Sequence, residues 1–221
     1  GSPYRAFDFP MNLSQDPSTY RNASVVQLFY WANRAHDRFY QLGFDEASGN
    51  FQQNNFGRGG LGNDRLQADA QDGSGVNNAN FFTPVDGQSP RMQMFIFTGP
   101  TPDRDAAFDA EVLIHEYAHG VSNRLHGGLT ALQSRGMGEG WSDFYALSFL
   151  AESGDNPSGN YAFGAYAARQ LAGLQDNYYF GIRRYPYSID LTKNPLSFAD
   201  IDPLQLALPV EVPRSPIIVN T

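Results

Sequence analysis

Cysteine is absent from this chain, so no disulfide, thiol nucleophile or thiolate ligand can be invoked, and the redox compartment cannot be read from the residues. Nor is any apolar run long enough to cross a bilayer. Positive charge is scarce: 15 Lys and Arg stand against 23 Asp and Glu. The resulting net charge of −8 argues against nucleic acid or an anionic membrane surface as the natural partner. Lysine is almost missing while Asn, Gln, Gly, Tyr and Ser are abundant, a composition that accompanies secreted proteins. The first residues lack a basic segment followed by an apolar one, so no leader is recognised and the chain reads as a processed or trimmed product. What is present, 41% hydrophobic residues in a length of 221, is ample for a core.

His115-Glu116-Tyr117-Ala118-His119 lies inside an otherwise apolar helical stretch. Residues four apart on a helix differ by roughly 40° of arc and one turn of rise, so both imidazoles project from one face. That spacing suits two nitrogens on one zinc ion, with Glu116 about 100° round the helix from His115 and beside the open coordination position. A carboxylate there can serve as general base toward a water whose pKa the metal lowers to near 7. Gly138-Glu139-Gly140-Trp141-Ser142-Asp143 follows and opens a second apolar helix. Glu139, between glycines that permit close backbone approach, is the expected third ligand; Glu152, at the far end of that helix, is the rival. Asp143, one turn after Glu139, is expected to accept the far N–H of a ligand histidine and fix its tautomer. His36 lies on an apolar stripe beside Asp37 and reads as a satisfied core histidine. His126 precedes Gly127-Gly128 and reads as a helix C-terminal side chain that favours the macrodipole.

Around these motifs the expected class is α+β. Ser24 to Leu42 has helical periodicity along Val25, Phe29, Ala32, His36 and Phe39 or Tyr40, with Ser24 as N-cap and Gly43 as stop. Asp45 to Asn80 is dense in Gly, Asn, Asp and Gln and reads as a long ordered loop region. Asn80 to Thr83 and Arg91 to Thr98 read as strands, the second alternating Met92, Met94 and Ile96 against Gln93, Phe95 and Phe97. The metal-binding helix is expected from Thr101 or Asp103, with Pro102 in its first turn and Ile114, Ala118, Val121 and Leu125 on its core face. A second helix is expected from Glu139 to Glu152 and a third, alanine-rich one from Tyr161 to Leu174. Leu204 to Thr221 is apolar and proline-rich. Asn12-Leu13-Ser14 and Asn22-Ala23-Ser24 are glycosylation sequons, relevant if a eukaryote secretes the chain. Acidic residues at Asp64, Asp69 and Asp72 leave Ca²⁺ binding open, although they lack a regular calcium-loop spacing.

With these residues in hand the chain resembles the fungalysin family of secreted zinc metalloendopeptidases, relatives of thermolysin. The resemblance is carried by Gln27 to Asn33 with His36-Asp37, by Gln71 to Phe81, by Pro90 to Met94, by His115 to Gly120, by Gly136 to Phe144 and by Arg183 to Ser188. It implies a thermolysin-like N-terminal region with a mixed sheet and long loops, followed by the HExxH helix and the Glu139 helix. Zinc would be held by His115, His119 and Glu139, with Glu116 as catalytic base. Asn78-Ala79-Asn80 would be the edge strand that pairs with an extended peptide substrate, where the residues alone would equally read as an Asn-rich turn. Residues 1–100 and 101–221 would form one continuous catalytic unit. The family also implies an inhibitory propeptide and a helical C-terminal half, which supplies an oxyanion-stabilising histidine and much of the pocket for the residue after the scissile bond. Neither is in this chain: no histidine follows His126, and no Tyr lies between His119 and Glu139.

The leading expectation is therefore a secreted zinc endopeptidase, present as a fragment or as one chain of a nicked enzyme. A second reading is a non-catalytic relative whose zinc is structural and whose edge strand binds peptides. A third is a zinc aminopeptidase, for which no acidic motif that could fix a substrate amino group is found.

Overall fold

The computed structural model describes residues 6–171, 177–197 and 200. Its framework is mixed α and β: three long helices, a three-stranded sheet and a two-stranded ribbon. No described helix is long and apolar enough to cross a membrane.

Helix α1 spans Arg21–Gln41. Its buried stripe is Ser24, Leu28, Ala35 and Phe39, rotated from the expected one: Val25 and Phe29 are exposed. Ser24 is not an N-cap but lies inside the helix, fully buried, and the capping position falls to Tyr20, after a 3-10 turn over Pro17–Tyr20. Asp16 caps that turn by accepting the Ser18 N–H at 2.9 Å. The helix closes at Leu42, and Gly43 follows in a left-handed conformation (φ 99°).

The region from 45 to 80 is largely irregular, as expected, but contains a 3-10 turn, Glu46–Ser48, and strand β1, Gln67–Ala70. Strand β3 (Arg91–Met94) pairs parallel with β1 and antiparallel with β2 (Ala79–Phe82). The order β1-β3-β2 leaves β2 at one edge. The expected second strand, Arg91 to Thr98, is in fact two. Met92 and Met94 are fully buried on β3, but at Phe95 the chain leaves that sheet. Ile96–Phe97 (β4) then pairs with Arg104–Asp105 (β5), and Phe95 and Phe97 are both buried.

Helix α2, Ala110–His126, starts later than Thr101 or Asp103. The reason is nonlocal. Arg104 and Asp105 are taken by the β4 pairing, a 3-10 turn covers Ala106–Phe108, and Asp109 caps the helix through the Val112 N–H at 3.4 Å. Gly127, left-handed at φ 66°, ends it. Ile114, Ala118 and Val121 are buried as expected, whereas Leu125 is 55% exposed. Helix α3, Leu132–Leu150, begins well before Glu139. Glu139 is therefore a mid-helix residue.

The two long helices and α1 meet through aromatic rings. Phe39 stacks on Tyr117 with centroids 5.7 Å apart and meets Tyr145 edge-on at 5.0 Å, and Phe51 touches Tyr117 at 5.7 Å. Each such buried ring contributes about 1.5–3 kcal/mol of hydrophobic stabilisation. One core cluster draws on α1, the sheet, α2, α3 and the segment around Phe163 and Leu171. That last segment is not the expected third helix. Tyr161 to Leu171 runs as turns with isolated bridges to Tyr187 and Gly181, and residues 172–174 lie outside the described set, as does the proline-rich stretch from 204.

Candidate metal centre

Helix α2 presents His115, Glu116 and His119 toward α3, which presents Glu139 and Asp143. The local reason for close approach is Gly138. A Cβ there would stand 3.1 Å from Leu129 Cδ1 and 3.9 Å from His119 Nδ1. Gly140, by contrast, faces open space.

The two Nε2 atoms of His115 and His119 are 2.9 Å apart. Glu139 Oε2 lies 3.2 Å from His115 Nε2, and Oε1 lies 3.3 Å from His119 Nε2. Two atoms each about 2.1 Å from one ion at a tetrahedral angle stand about 3.4 Å apart, so this donor set fits a single zinc ion. Among the described residues no other group of three or more His, Cys, Asp or Glu side chains is close enough to share a metal. Glu152, the rival ligand, is exposed at the end of α3 with its backbone N–H on Asp155.

His115 Nδ1 is 2.6 Å from the fully buried Asp143 Oδ1. A proton on Nδ1 donated to Asp143 leaves the Nε2 lone pair directed at the cluster. Asp143 is itself held by Arg183, whose Nε and one terminal nitrogen donate at 2.6 Å each, and by the Tyr187 hydroxyl. Burial works against charge on Asp143, but the His115 hydrogen bond and the Arg183 charge bring its pKa below the usual carboxylate range. Burial likewise opposes ionisation of Glu139, and its close contacts with the His115 and His119 rings overcome it and lower the pKa. Glu116 is 7% exposed, and burial raises its pKa against the attraction of both histidines. A carboxylate of raised proton affinity beside the cluster is suited to taking up a proton.

His115, Glu116, His119, Glu139 and Arg183 line one cavity of 320 Å³, with Asp143 buried behind His115. One wall is the edge of the sheet, with Asn78 exposed, Ala79 buried and Asn80 and Phe81 half-buried. The apolar part of the lining is Phe97, Val112, Phe163, Gly164, Ala167 and Ile182, and Arg183 is also in the lining. An apolar recess adjoins the cluster within this chain. Phe163, Ile182, Arg183 and Tyr187 were not assigned a role from sequence. The signal in the sequence is the aromatic and basic run around Arg183 to Tyr187.

His36 is partnered, by Asp37 at 3.1 Å and Gln52 at 3.0 Å, though it sits at the rim rather than in the core. His126 ends α2 and stacks on Trp141 at 5.7 Å. The acidic residues considered for calcium are spent on arginines. Asp64, fully buried, meets Arg124 at 3.0 Å, while Asp69 and Asp72 meet Arg91 at 2.7 and 3.0 Å. Arg124 also bonds Gly49 O and Asp86, so a buried guanidinium braces the long loops.

The model of the fungalysin metallopeptidase family (M36) matches residues 1–210. This chain belongs to that family. Over 206 residues it is 50% identical to extracellular metalloproteinase mep of Aspergillus fumigatus, covering 90% of this chain and 31% of that protein. Extracellular metalloproteinase 4 of Arthroderma otae is 49% identical over 211 residues, covering 92% and 31%. Extracellular metalloproteinase mep of Aspergillus flavus is 49% identical over 210 residues, covering 92% of this chain and 31% of that protein. The chain thus spans about a third of the length of the curated relatives it matches.

Proposed function

We propose that this chain is the metal-binding part of a secreted zinc endopeptidase that cleaves extracellular proteins. The observation that carries the reading is the convergence of His115 Nε2, His119 Nε2 and a Glu139 carboxylate oxygen within 4.8 Å of one another, in a cavity that also contains Glu116. Zinc bound there would supply Lewis acidity, polarising a carbonyl and lowering the pKa of a water to near 7.

The chain's own groups do the rest. The sheet edge formed by Asn78 and the start of β2, Ala79 and Asn80, pairs with an extended substrate backbone and presents its carbonyl to the cluster. Glu116 takes a proton from the attacking water and returns it to the departing amine. Asp143, anchored by Arg183 and Tyr187, holds the His115 ring in one tautomer and orientation. The apolar recess from Phe97 to Ile182 receives a side chain next to the cleaved bond. The family resemblance implies an oxyanion donor and an inhibitory propeptide in further length of the protein, and losing one such donor typically costs about 10²–10³ in rate.

The test is Glu116→Gln in the full-length enzyme that contains this chain. Protein cleavage should fall by about 10²–10⁴ while zinc content, measured by plasma emission, stays at one per molecule. Unchanged cleavage would remove Glu116 as the base. A wild-type protein that holds zinc and binds peptides without cutting them would favour the non-catalytic reading.

A further inference from the structure

The apolar recess beside the metal centre has a wall that carries no regular structure, and something must hold it. Residues Phe163, Gly164 and Ala167 belong to the turn-rich segment that replaces the expected helix. Irregular backbone packed against a core must satisfy its N–H groups individually. Two of them are met by carboxylates from the start of α2. Gly164 N–H donates to Glu111 Oε2 at 2.7 Å, and Ala167 N–H donates to Asp109 Oδ2 at 3.0 Å. A backbone bridge completes the attachment, Ile182 N–H donating to Phe163 O at 2.8 Å.

The two carboxylates are not equivalent. Asp109 also caps α2, so its first duty is to the helix. Glu111 has no such second contact among the described residues. Its single hydrogen bond reaches the recess wall one helical turn before His115, and the residue after it, Val112, forms part of the same recess. Gly164 adopts φ 65°, a conformation few other residues hold, and a Cβ there would stand 3.3 Å from Ile182 Cδ1. The wall is thus tight on its Ile182 side and tethered on its Glu111 side. Burial, reinforced by the charge of Asp109, pushes the Glu111 carboxyl up to about 7.

We infer that Glu111 is a positioning residue for specificity: through the Gly164 N–H it sets the distance between the recess wall and the metal centre, and so the size of side chain accepted next to the cleaved bond. This rests on the endopeptidase reading above. Glu111 touches neither substrate nor cluster ligand. Its removal should act on selection among substrates and leave the chemical step alone.

The experiment uses the full-length enzyme and peptides varied one position at a time, on both sides of the cleaved bond, through Ala, Leu and Phe. Glu111→Ala should compress the kcat/KM ratio between preferred and disfavoured residues at one position by about tenfold, the range in which a recess discriminates by methylenes. The change should appear in KM, with kcat on the preferred peptide within about twofold and zinc content unchanged. Glu111→Gln keeps an acceptor oxygen at the same reach and should restore the wild-type ratio. Should the Ala variant not be secreted, Glu111→Asp, with its tether one methylene shorter, provides the same contrast: selectivity must move for Asp and hold for Gln. A uniform fall in kcat for every peptide would overturn the inference in favour of a merely structural role. So would selectivity unchanged in both Ala and Asp variants, or a Gln variant as altered as Ala. A wild-type enzyme that cleaves none of the peptides overturns the function and this inference together.

Discussion

Gly120, directly after His119, offers a perturbation whose sign is decided by packing. In a helix interior, replacing Gly by Ala ordinarily stabilises by about 1 kcal/mol through backbone entropy. Here a Cβ at position 120 would stand 2.5 Å from both Cε1 and Cζ of Phe81 and 3.0 Å from Cε2 of Phe51. Favourable carbon contacts begin near 3.5 Å, so the Phe81 ring must retreat by about 1 Å. Overpacking of this kind costs about 1–3 kcal/mol. The difference is a net loss of about 1 kcal/mol, or a few degrees of melting temperature. Phe81 belongs to β2 and lines the cavity beside the metal centre, so the displacement should also raise KM while zinc content stays constant. The assay is thermal unfolding of Gly120→Ala, Phe81→Ala and the double variant at fixed zinc concentration. With the ring gone, the Gly120→Ala change should regain its ordinary gain of about 1 kcal/mol, giving a coupling of about 2 kcal/mol across the cycle. A Gly120→Ala protein more stable than wild type, with no coupling to Phe81, would refute the close approach of helix and strand.

Other outcomes follow from the same structure. Asp143→Asn, by replacing the acceptor that orients His115, should weaken zinc retention by about 10–100-fold in chelator competition. Asp72 is held at a pKa of about 2 by the Ser74 hydroxyl, with Gln93 and the Ser74 N–H adding to it. A carboxyl lowered in the folded state contributes stability above the unfolded value of 3.8 and loses it as pH falls toward about 2. Asp72→Asn should therefore be less stable than wild type at pH 6, with the gap closing near pH 2 in unfolding titrations. Removing the metal with a chelator should lower the melting temperature, since an ion bound only by the folded state stabilises it by mass action.

What could be read from the residues was what local arithmetic controls. His115 and His119 share a face because they are one turn apart, Asp143 follows Glu139 by one turn, and Gly127 ends α2 because a left-handed residue is needed there. The overall α+β class and the site's placement between two helices were legible on the same basis. Nonlocal choices were not. Pro102 looked like a helix start until Arg104 and Asp105 were claimed by β4. The alanine-rich run from Tyr161 favours a helix by propensity, yet Glu111 and Asp109 take its N–H groups and a left-handed Gly164 breaks its course. On α1 the apolar periodicity fits two stripes one residue apart, and the buried Ser24 reveals which one faces the core. Strand β1 is too short and too polar to announce itself without its partner.

The partners of Asp143 also set an order of events during synthesis. His115 lies 28 residues before it, and Arg183 lies 40 residues after it. Until Arg183 has emerged, a carboxylate destined for complete burial lacks its guanidinium counter-charge, and enclosing it unpaired is costly. At a translation rate of about 5–20 residues per second, the interval between Asp143 and Arg183 is about 2–8 s. Burial of the His115–Asp143 contact is therefore expected to wait until the Arg183–Tyr187 segment has folded back over it.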